Sequence, residues 1–154
     1  MSTIMTQEKQ KPSSAALFVH AIAVFWIGLI TGISFIATPV KFFAASLTLP
    51  VALEIGRHTF GFLNKLEWFV LAALLFPIAL LYQRLAIIIA ILIGAVLVAE
   101  TFWLLPQLDK RVDLILAGQV VEPSSLHASY VAAEVLKCVL LLTLAGFGVL
   151  QQRA

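Results

Sequence analysis

Charged residues are scarce in this sequence: Asp, Glu, Lys and Arg make up only 12% of its 154 residues, whereas 62% are hydrophobic. A soluble domain has about 25% charged and about 45–50% apolar residues. These charges are too few to cover a soluble globule, and so hydrophobic a composition also excludes a disordered chain. The net charge of +2 gives no reason to expect nucleic acid as a partner. What remains is an integral membrane protein, with the lipid bilayer as its main partner.

Cysteine is nearly absent as well. Cys138 is the one cysteine, so an internal disulfide framework is excluded. The first apolar stretch, residues 13–40, contains no Asp, Glu, Lys or Arg. A signal peptide has an apolar region of only about 7–15 residues, so this longer stretch is predicted to stay in the membrane.

Four apolar blocks follow a polar N-terminal tail at residues 1–14. They cover residues 15–37, 60–82, 85–105 and 126–150. A helix needs about 20 residues to cross the hydrocarbon of a bilayer, and lipid admits only helices or closed barrels. The blocks lack the strict alternation of barrel strands. We therefore predict an all-α fold in which residues 15–154 form one domain of four transmembrane helices.

The longer connection lies between the first and second spans, at residues 39–59. Within it, Thr48 followed by Pro50 is typical of a helix start. The second helix is therefore predicted to begin near Pro50 and to project from the bilayer before its span.

The other connections follow from turn and breaker residues. A tight turn around Gln83 and Arg84 joins the second and third helices. Pro106 is expected to kink the third helix, because proline lacks an N–H and its ring clashes with the preceding turn. A short amphipathic extension follows, and Gly118 suits its C-terminal cap.

Ionisable residues divide the membrane blocks into runs that are too short to span. Uncharged runs of 16, 15 and 15 residues separate Glu67 from Arg84, Arg84 from Glu100, and Lys137 from Arg153. At 1.5 Å per residue each run covers about 22–24 Å, against a hydrocarbon core of about 30 Å. The second, third and fourth helices must therefore carry charged side chains at the edge of the hydrocarbon or inside it.

The alternating direction of the helices places these charges in one leaflet. Glu67, Glu100 and Glu134 are predicted to lie at similar depth and to converge inside the bundle. Ionisable groups cost about 2.5–3.5 kcal/mol each at the centre of a membrane helix, so they normally face the bundle interior and pair. The predicted polar layer consists of Asn64, Glu67, Glu100, His127, Tyr130, Glu134 and Lys137. Arg57 and His58 are candidates that lie above it, on the projecting start of the second helix.

This layer has two interpretations. It is either a structural cluster, in which Lys137 neutralises Glu134 one turn away, or a functional site that opens toward the side of the longer connections. No Glu-x-x-His pair of the di-iron kind is present, and the sequence predicts no particular cofactor. The weak candidates for ligands of a divalent metal are Glu67, Glu100, His127 and Glu134.

Small and aromatic residues indicate how the helices face their surroundings. Gly28 and Gly32 form a G-x-x-x-G pattern in the first helix, which allows close helix approach within the chain or between copies of it. The eleven phenylalanines, together with Trp26, Trp68 and Trp103, are predicted to face lipid or the membrane interface.

The order of several patterns along the chain resembles a known family. The patterns are Arg57-His58-Thr59-Phe60-Gly61 and Asn64-Lys65-Leu66-Glu67-Trp68 in the second helix, Leu105-Pro106 with Arg111 after the third, and Leu126-His127, Tyr130 and Glu134-Val135-Leu136-Lys137 in the fourth. They are similar to small four-span bacterial membrane proteins related to transmembrane protein 205, a family largely of unknown function. The resemblance implies a bacterial inner-membrane protein, and eukaryotic relatives are linked to drug and metal tolerance. It supplies no catalytic residues.

A second pattern is similar to another group of four-helix proteins. Asn64 and Glu67, three residues apart near a helix start, resemble a pair in the trimeric glutathione and eicosanoid enzymes. The arginine-rich signature around that pair is missing here, since no further arginines follow Arg57 in this region. This departure argues against a glutathione site.

Two functions follow as expectations. The first is a non-enzymatic membrane protein, either a transport or tolerance factor or an accessory subunit of a larger complex. A bundle of four helices has little room for a pore of its own, so a homo-oligomer or a larger complex is expected. The alternative is a membrane enzyme that acts on a lipophilic substrate through the glutamate and histidine layer.

Overall fold

The computed structural model describes residues 13–150, with side chains up to residue 146. Four helices make up this part of the chain: Ser14–Phe43, Leu49–Leu81, Arg84–Leu116 and Leu126–Leu150. All four are long and apolar enough to cross a membrane. The all-α, four-helix prediction is confirmed, and the chain is a multi-pass membrane protein. Most of the polar tail (residues 1–12) and Arg153 lie outside the described residues.

The helices pack as a bundle around an apolar core. The first helix contacts the second and fourth, and the third also contacts these two. Each helix contributes a fully buried side chain to the core: Trp26, Leu74, Ile93 and Leu141. The outer surface is also apolar, because lipid rather than water surrounds it.

One face of the second helix shows this outward-facing pattern clearly. Phe62, Phe69 and Phe76 follow each other at intervals of seven residues, and all three are more than 60% exposed. The prediction that phenylalanines face lipid is confirmed for these residues. Phe60 differs, since it is partly buried against Tyr130, with ring centroids 4.9 Å apart.

Two π-helical turns interrupt the regular helices, and the sequence analysis missed both. They cover Thr31–Ala37 in the first helix and Glu100–Leu104 in the third. Each turn ends with a backbone N–H that donates to the carbonyl five residues earlier. Thr38 donates to Ile33, and Leu105 donates to Glu100. The next residue in each case is a proline, Pro39 or Pro106. The wider turn accommodates the proline ring, which in a regular helix clashes with the carbonyl four residues back.

The first connection is shorter than predicted. The first helix continues through Pro39 and ends at Phe43, so only residues 44–48 separate it from the second helix rather than residues 39–59. The second helix begins at Leu49, as expected, but the Thr48 side chain makes no capping hydrogen bond. Its 33 residues span about 50 Å, well beyond a core of about 30 Å, so its start projects as predicted.

The remaining turns agree with the sequence. Tyr82 and Gln83 form the tight turn before Arg84, with Tyr82 in the left-handed region at φ 49°. Gly118 ends the extension of the third helix with φ 76°. The backbone N–H of Gly118 donates to the carbonyl of Ile115, and that of Gln119 donates to the carbonyl of Leu114. This is the hydrogen-bond pattern of a Schellman cap.

Gly28 and Gly32 do not mediate helix contacts within the chain. A Cβ atom added at either position has nothing within 4 Å among the described residues. The interpretation of this pattern as internal packing is therefore wrong. Contact between copies of the chain through these glycines stays a prediction.

The Schellman cap gives a test of the fold. Gly118→Ala is expected to lower the free energy of unfolding by about 1 kcal/mol, because an L side chain is strained at positive φ. Gly61→Ala is the control: Gly61 lies inside the second helix with open space around its Cβ position, so alanine is expected to stabilise by about 0.5–1 kcal/mol. Thermal unfolding in mild detergent measures both, and equal shifts would contradict the assigned cap.

Candidate functional site

A buried ion cluster joins three of the four helices. The ammonium of Lys137 lies 2.7 Å from Glu67 Oε1, 2.7 Å from Glu100 Oε2 and 3.2 Å from Glu134 Oε2. It also donates to Glu67 Oε2 at 2.8 Å. All four side chains are fully buried. The predicted convergence of the three glutamates inside the bundle is confirmed, and we call these four residues the acid–lysine cluster.

Helix geometry brings the cluster together. Glu134 and Lys137 are three residues apart, so they lie on the same face of the fourth helix. Glu67 lies near the middle of the second helix, and Glu100 opens the π-helical turn of the third. That turn buries both Glu100 and Leu104, so the local widening of the helix occurs where a carboxylate enters the bundle. Lys137 does more than neutralise Glu134, because it bridges carboxylates from three helices.

The first helix reaches the cluster through a tryptophan. Trp26 is fully buried, and its indole Nε1 donates to Glu67 Oε1 at 2.8 Å. The prediction that Trp26 faces lipid is therefore wrong, because a buried carboxylate attracts the one N–H that its side chain offers. The signal in the sequence was the depth of Trp26, which the sequence analysis did not compare with that of Glu67.

A second polar network lies next to the cluster. Trp68 Nε1 donates to Thr101 Oγ1 at 3.0 Å, and that hydroxyl lies 2.9 Å from Asn64 Oδ1 and 2.7 Å from the carbonyl of Leu97. Asn64 is thus buried in the predicted layer, but its side chain contacts Thr101 of this second network. Trp68 is half-buried rather than lipid-facing, whereas Trp103 is exposed as predicted.

The charges of the acid–lysine cluster do not balance. Three carboxylates against one ammonium leave two formal negative charges without a cationic partner among the described residues. Glu100 Oε1 and both oxygens of Glu134 accept no hydrogen bond of regular geometry from any described residue. Unpaired charge is costly at such burial, so further positive charge must join the cluster, as protons or as a cation.

The carboxylates also meet the geometric condition for a metal site. One oxygen from each of Glu67, Glu100 and Glu134 lies within 4.8 Å of the others, in a set that does not include His127. The Lys137 ammonium, however, already contacts all three groups at 2.7–3.2 Å. A metal ion bound by all three would have to displace it. The metal site stays a prediction, with Lys137 as the competing cation.

A groove leads from the side of the connections to this cluster. Its volume is about 320 Å³, and it lies between the first and fourth helices with Phe60 of the second. Glu134 and Tyr130 line one end, and His127 lies two turns toward the helix start. The Tyr130 hydroxyl is near the Glu134 carboxylate, yet neither makes a hydrogen bond of regular geometry. The groove therefore ends at a carboxylate whose oxygens are buried and make no hydrogen bond of regular geometry to any described residue.

A second cavity continues the groove toward the connections. Its volume is about 280 Å³, and it shares Thr38, Phe42, Phe60 and His127 with the groove. Charged side chains surround it at the projecting ends of the helices, namely Lys41, Arg57 and Asp109. The two cavities together form a path from the charged end of the bundle to Glu134.

Arg57 and His58, on the projecting start of the second helix, also lie outside the cluster. Arg57 pairs with Asp113 at 2.7 Å and lines the second cavity. His58 is exposed on the projecting start of the second helix, as predicted, and it lines neither cavity. The two residues are neighbours in sequence, and a helix turns successive side chains by about 100°. Only Arg57 therefore points into the bundle.

No family model matches this chain, and neither the curated proteins nor the solved structures include a match.

Removal of the central ammonium tests the cluster. Lys137→Met is expected to lower the free energy of unfolding by about 3–5 kcal/mol, because it leaves buried carboxylates without a counter-charge. Lys65→Met is the control, since Lys65 is an exposed lysine of the second helix. Addition of Glu67→Gln and Glu100→Gln to Lys137→Met is expected to recover much of the loss. Thermal unfolding in detergent measures all variants, and equal effects at positions 137 and 65 would contradict the cluster.

The tryptophan contact gives a separate test. Trp26→Phe is expected to destabilise the protein by about 1–3 kcal/mol, because it removes a donor to a buried carboxylate. Trp103→Phe is expected to change stability by less than about 0.5 kcal/mol, since Trp103 is exposed. Denaturation followed by tryptophan fluorescence distinguishes the two. A Trp26→Phe variant as stable as Trp103→Phe would show that the Glu67 contact contributes nothing.

Proposed function

We propose that this chain is a small, non-enzymatic membrane protein that binds lipophilic molecules from the bilayer and acts as a transport or tolerance factor. The observation that carries the proposal is the groove, which ends at the fully buried Glu134. Its walls include the exposed side chains of Phe35, Phe42 and Val131, so it is open along the lipid-facing surface between two helices. A molecule dissolved in the bilayer can enter it sideways.

The composition of the cluster favours a functional role over a purely structural one. A cluster that only holds helices together needs balanced charges, whereas this one has three acids for one base. Both π-helical turns also lie at the site: Ser34 and Phe35 of the first line the groove, and Glu100 begins the second. Such turns are frequent at functional sites, and unbalanced intramembrane charge is itself typical of function.

Family, location and assembly belong to the same proposal. A role in tolerance agrees with the resemblance to four-span bacterial proteins related to transmembrane protein 205. We accordingly propose the bacterial inner membrane as its location. Self-association or assembly with other subunits is part of the proposal as well, because one bundle of four helices has little room for a pore.

A membrane enzyme is the second candidate function. It is favoured by the Tyr130 hydroxyl and the Glu134 carboxylate, which lie together at the end of the groove. A phenol and a carboxylate can transfer a proton to or from a lipophilic substrate. Tyr130→Phe separates the candidates, because it removes that proton donor and would abolish turnover. In a binding protein the same variant keeps the apolar wall and is expected to retain its effect on tolerance.

A pair of valines on the fourth helix tests the main proposal. Val131 lines the groove, whereas Val135, one turn later, is 47% exposed and does not line it. In a bacterial host, the chain is expected to raise tolerance to at least one class of toxic lipophilic compound. Val131→Trp is expected to abolish this effect by filling the groove, and Val135→Trp to retain it at equal membrane levels.

The measurement is the inhibitory concentration of each compound for the host, with membrane levels matched by immunoblotting. The panel contains cationic, neutral and anionic compounds. Unchanged tolerance to all three classes would contradict the proposal. A Val131→Trp variant that protects as well as the unmodified chain would contradict it too.

A further inference from the structure

We propose that the ligand of the groove is an amphipathic amine, with one protonated nitrogen that pairs with Glu134 and an apolar tail that lies along the aromatic wall. This inference rests on the proposed function and specifies its class of ligand. Three features of the site support it: the sign of the charge, the kind of polar atoms and the nature of the walls.

The charge of the site selects a cation. The acid–lysine cluster carries more carboxylates than ammonium groups, and Glu134 has the longest of the lysine contacts, at 3.2 Å against 2.7 Å for the other two. An anion would meet repulsion from these carboxylates in a medium of low dielectric. The Lys137 ammonium is surrounded by its own carboxylates and is not a counter-charge for such an anion. A neutral molecule would leave the excess charge to be balanced by protons alone, whereas a protonated amine supplies a positive charge itself.

Three residues that line the groove carry buried acceptors suited to an ammonium donor. Both oxygens of Glu134 are buried without a hydrogen bond of regular geometry, and so are the hydroxyl oxygens of Ser34 and Tyr130. All three residues line the groove. A protonated amine offers only donors, as the lysine ammonium does. Charge-assisted bonds from such a group to a carboxylate are about twice as strong as neutral ones.

The walls are suited to the rest of the molecule. Phe35, Phe42 and Phe60 line the groove together with Val131. Aromatic faces attract a nearby cation and also cover an apolar tail. The volume of about 320 Å³ is in the range of small-molecule pockets, which is about 300–1,000 Å³. A molecule with one amine and one arylalkyl or alkyl tail therefore fits the groove, with the amine at Glu134 and the tail along the aromatic walls.

Three probes with the same tail and different head charge test the inference: 4-phenylbutylamine, 4-phenylbutanol and 4-phenylbutyric acid. The full-length chain in lipid nanodiscs is titrated with each by calorimetry, with empty nanodiscs subtracted. The amine is expected to bind at least about tenfold more tightly than the alcohol, and the acid to bind most weakly. Glu134→Gln is expected to weaken amine binding at least about tenfold and to bring it close to that of the alcohol. Glu54→Gln, at an exposed glutamate, is the control and is expected to change nothing.

A second pair of variants leaves the cluster itself intact. Val131→Lys places a tethered ammonium three residues from Glu134 on the same helix face, where it is expected to compete with the amine. Val131→Met has a similar length without charge and is expected to weaken amine binding less than Val131→Lys does. This pair keeps the inference testable if Glu134→Gln does not fold.

The outcomes separate this inference from the proposed function. The alcohol could bind as tightly as the amine, with no effect of Glu134→Gln or Val131→Lys. That result would overturn the inference that the ligand is an amine, but a lipophilic ligand would still bind in the groove. Tighter binding of the acid than of the amine would also overturn the inference that the ligand is an amine. Absence of binding by all three probes, or binding unaffected by Val131→Trp, would overturn the inference together with the proposed groove.

Discussion

The ammonium of Lys137 is the point on which the bundle depends. It contacts carboxylates from the second, third and fourth helices, and Trp26 connects the first helix to the same group of atoms through Glu67. In lipid, apolar side chains give helices little reason to associate with one another rather than with acyl chains. Polar contacts that lipid cannot replace therefore fix which helix faces sit together. Rotation of any helix about its own axis would expose an ionised or hydrogen-bonded group to hydrocarbon.

The same cluster holds more acid than its lysine can neutralise. A balanced pair would satisfy the needs of packing, but Glu134 keeps two buried oxygens without regular hydrogen bonds. Glu134 is also a residue of the groove wall, whereas Glu67 and Glu100 do not line the groove. The contrast within one cluster is informative: Glu67 is bound by both Lys137 and Trp26, whereas Glu134 is held loosely at the open end. In the proposed function, structural support and ligand binding are divided between neighbouring carboxylates.

Depth along the membrane normal was predictable, and direction around each helix was not. The lengths of the uncharged runs placed Glu67, Glu100 and Glu134 in one layer, because the thickness of the bilayer and the rise of a helix are fixed. The same reasoning placed His58 above the layer but gave no direction for its side chain, which points outward. It also assigned Trp26 to the lipid face and gave Gly28 and Gly32 a packing role that the chain does not use. These failures concern the direction in which a side chain points around its helix axis. That direction depends on the partner helices. The π-helical turns did have a signal, since each directly precedes a proline inside a membrane helix.

The sequence by itself determined four membrane helices, their approximate ends and a shared layer of glutamates. These properties follow from local quantities: the length of apolar runs, the cost of charge in hydrocarbon and the preferences of proline and glycine. Only the tertiary structure decided that one lysine bridges all three acids, that Trp26 completes the cluster and that Glu134 faces a groove. These contacts join residues that are between 3 and 70 positions apart. They depend on how the helices rotate against one another, which is set by the whole bundle at once.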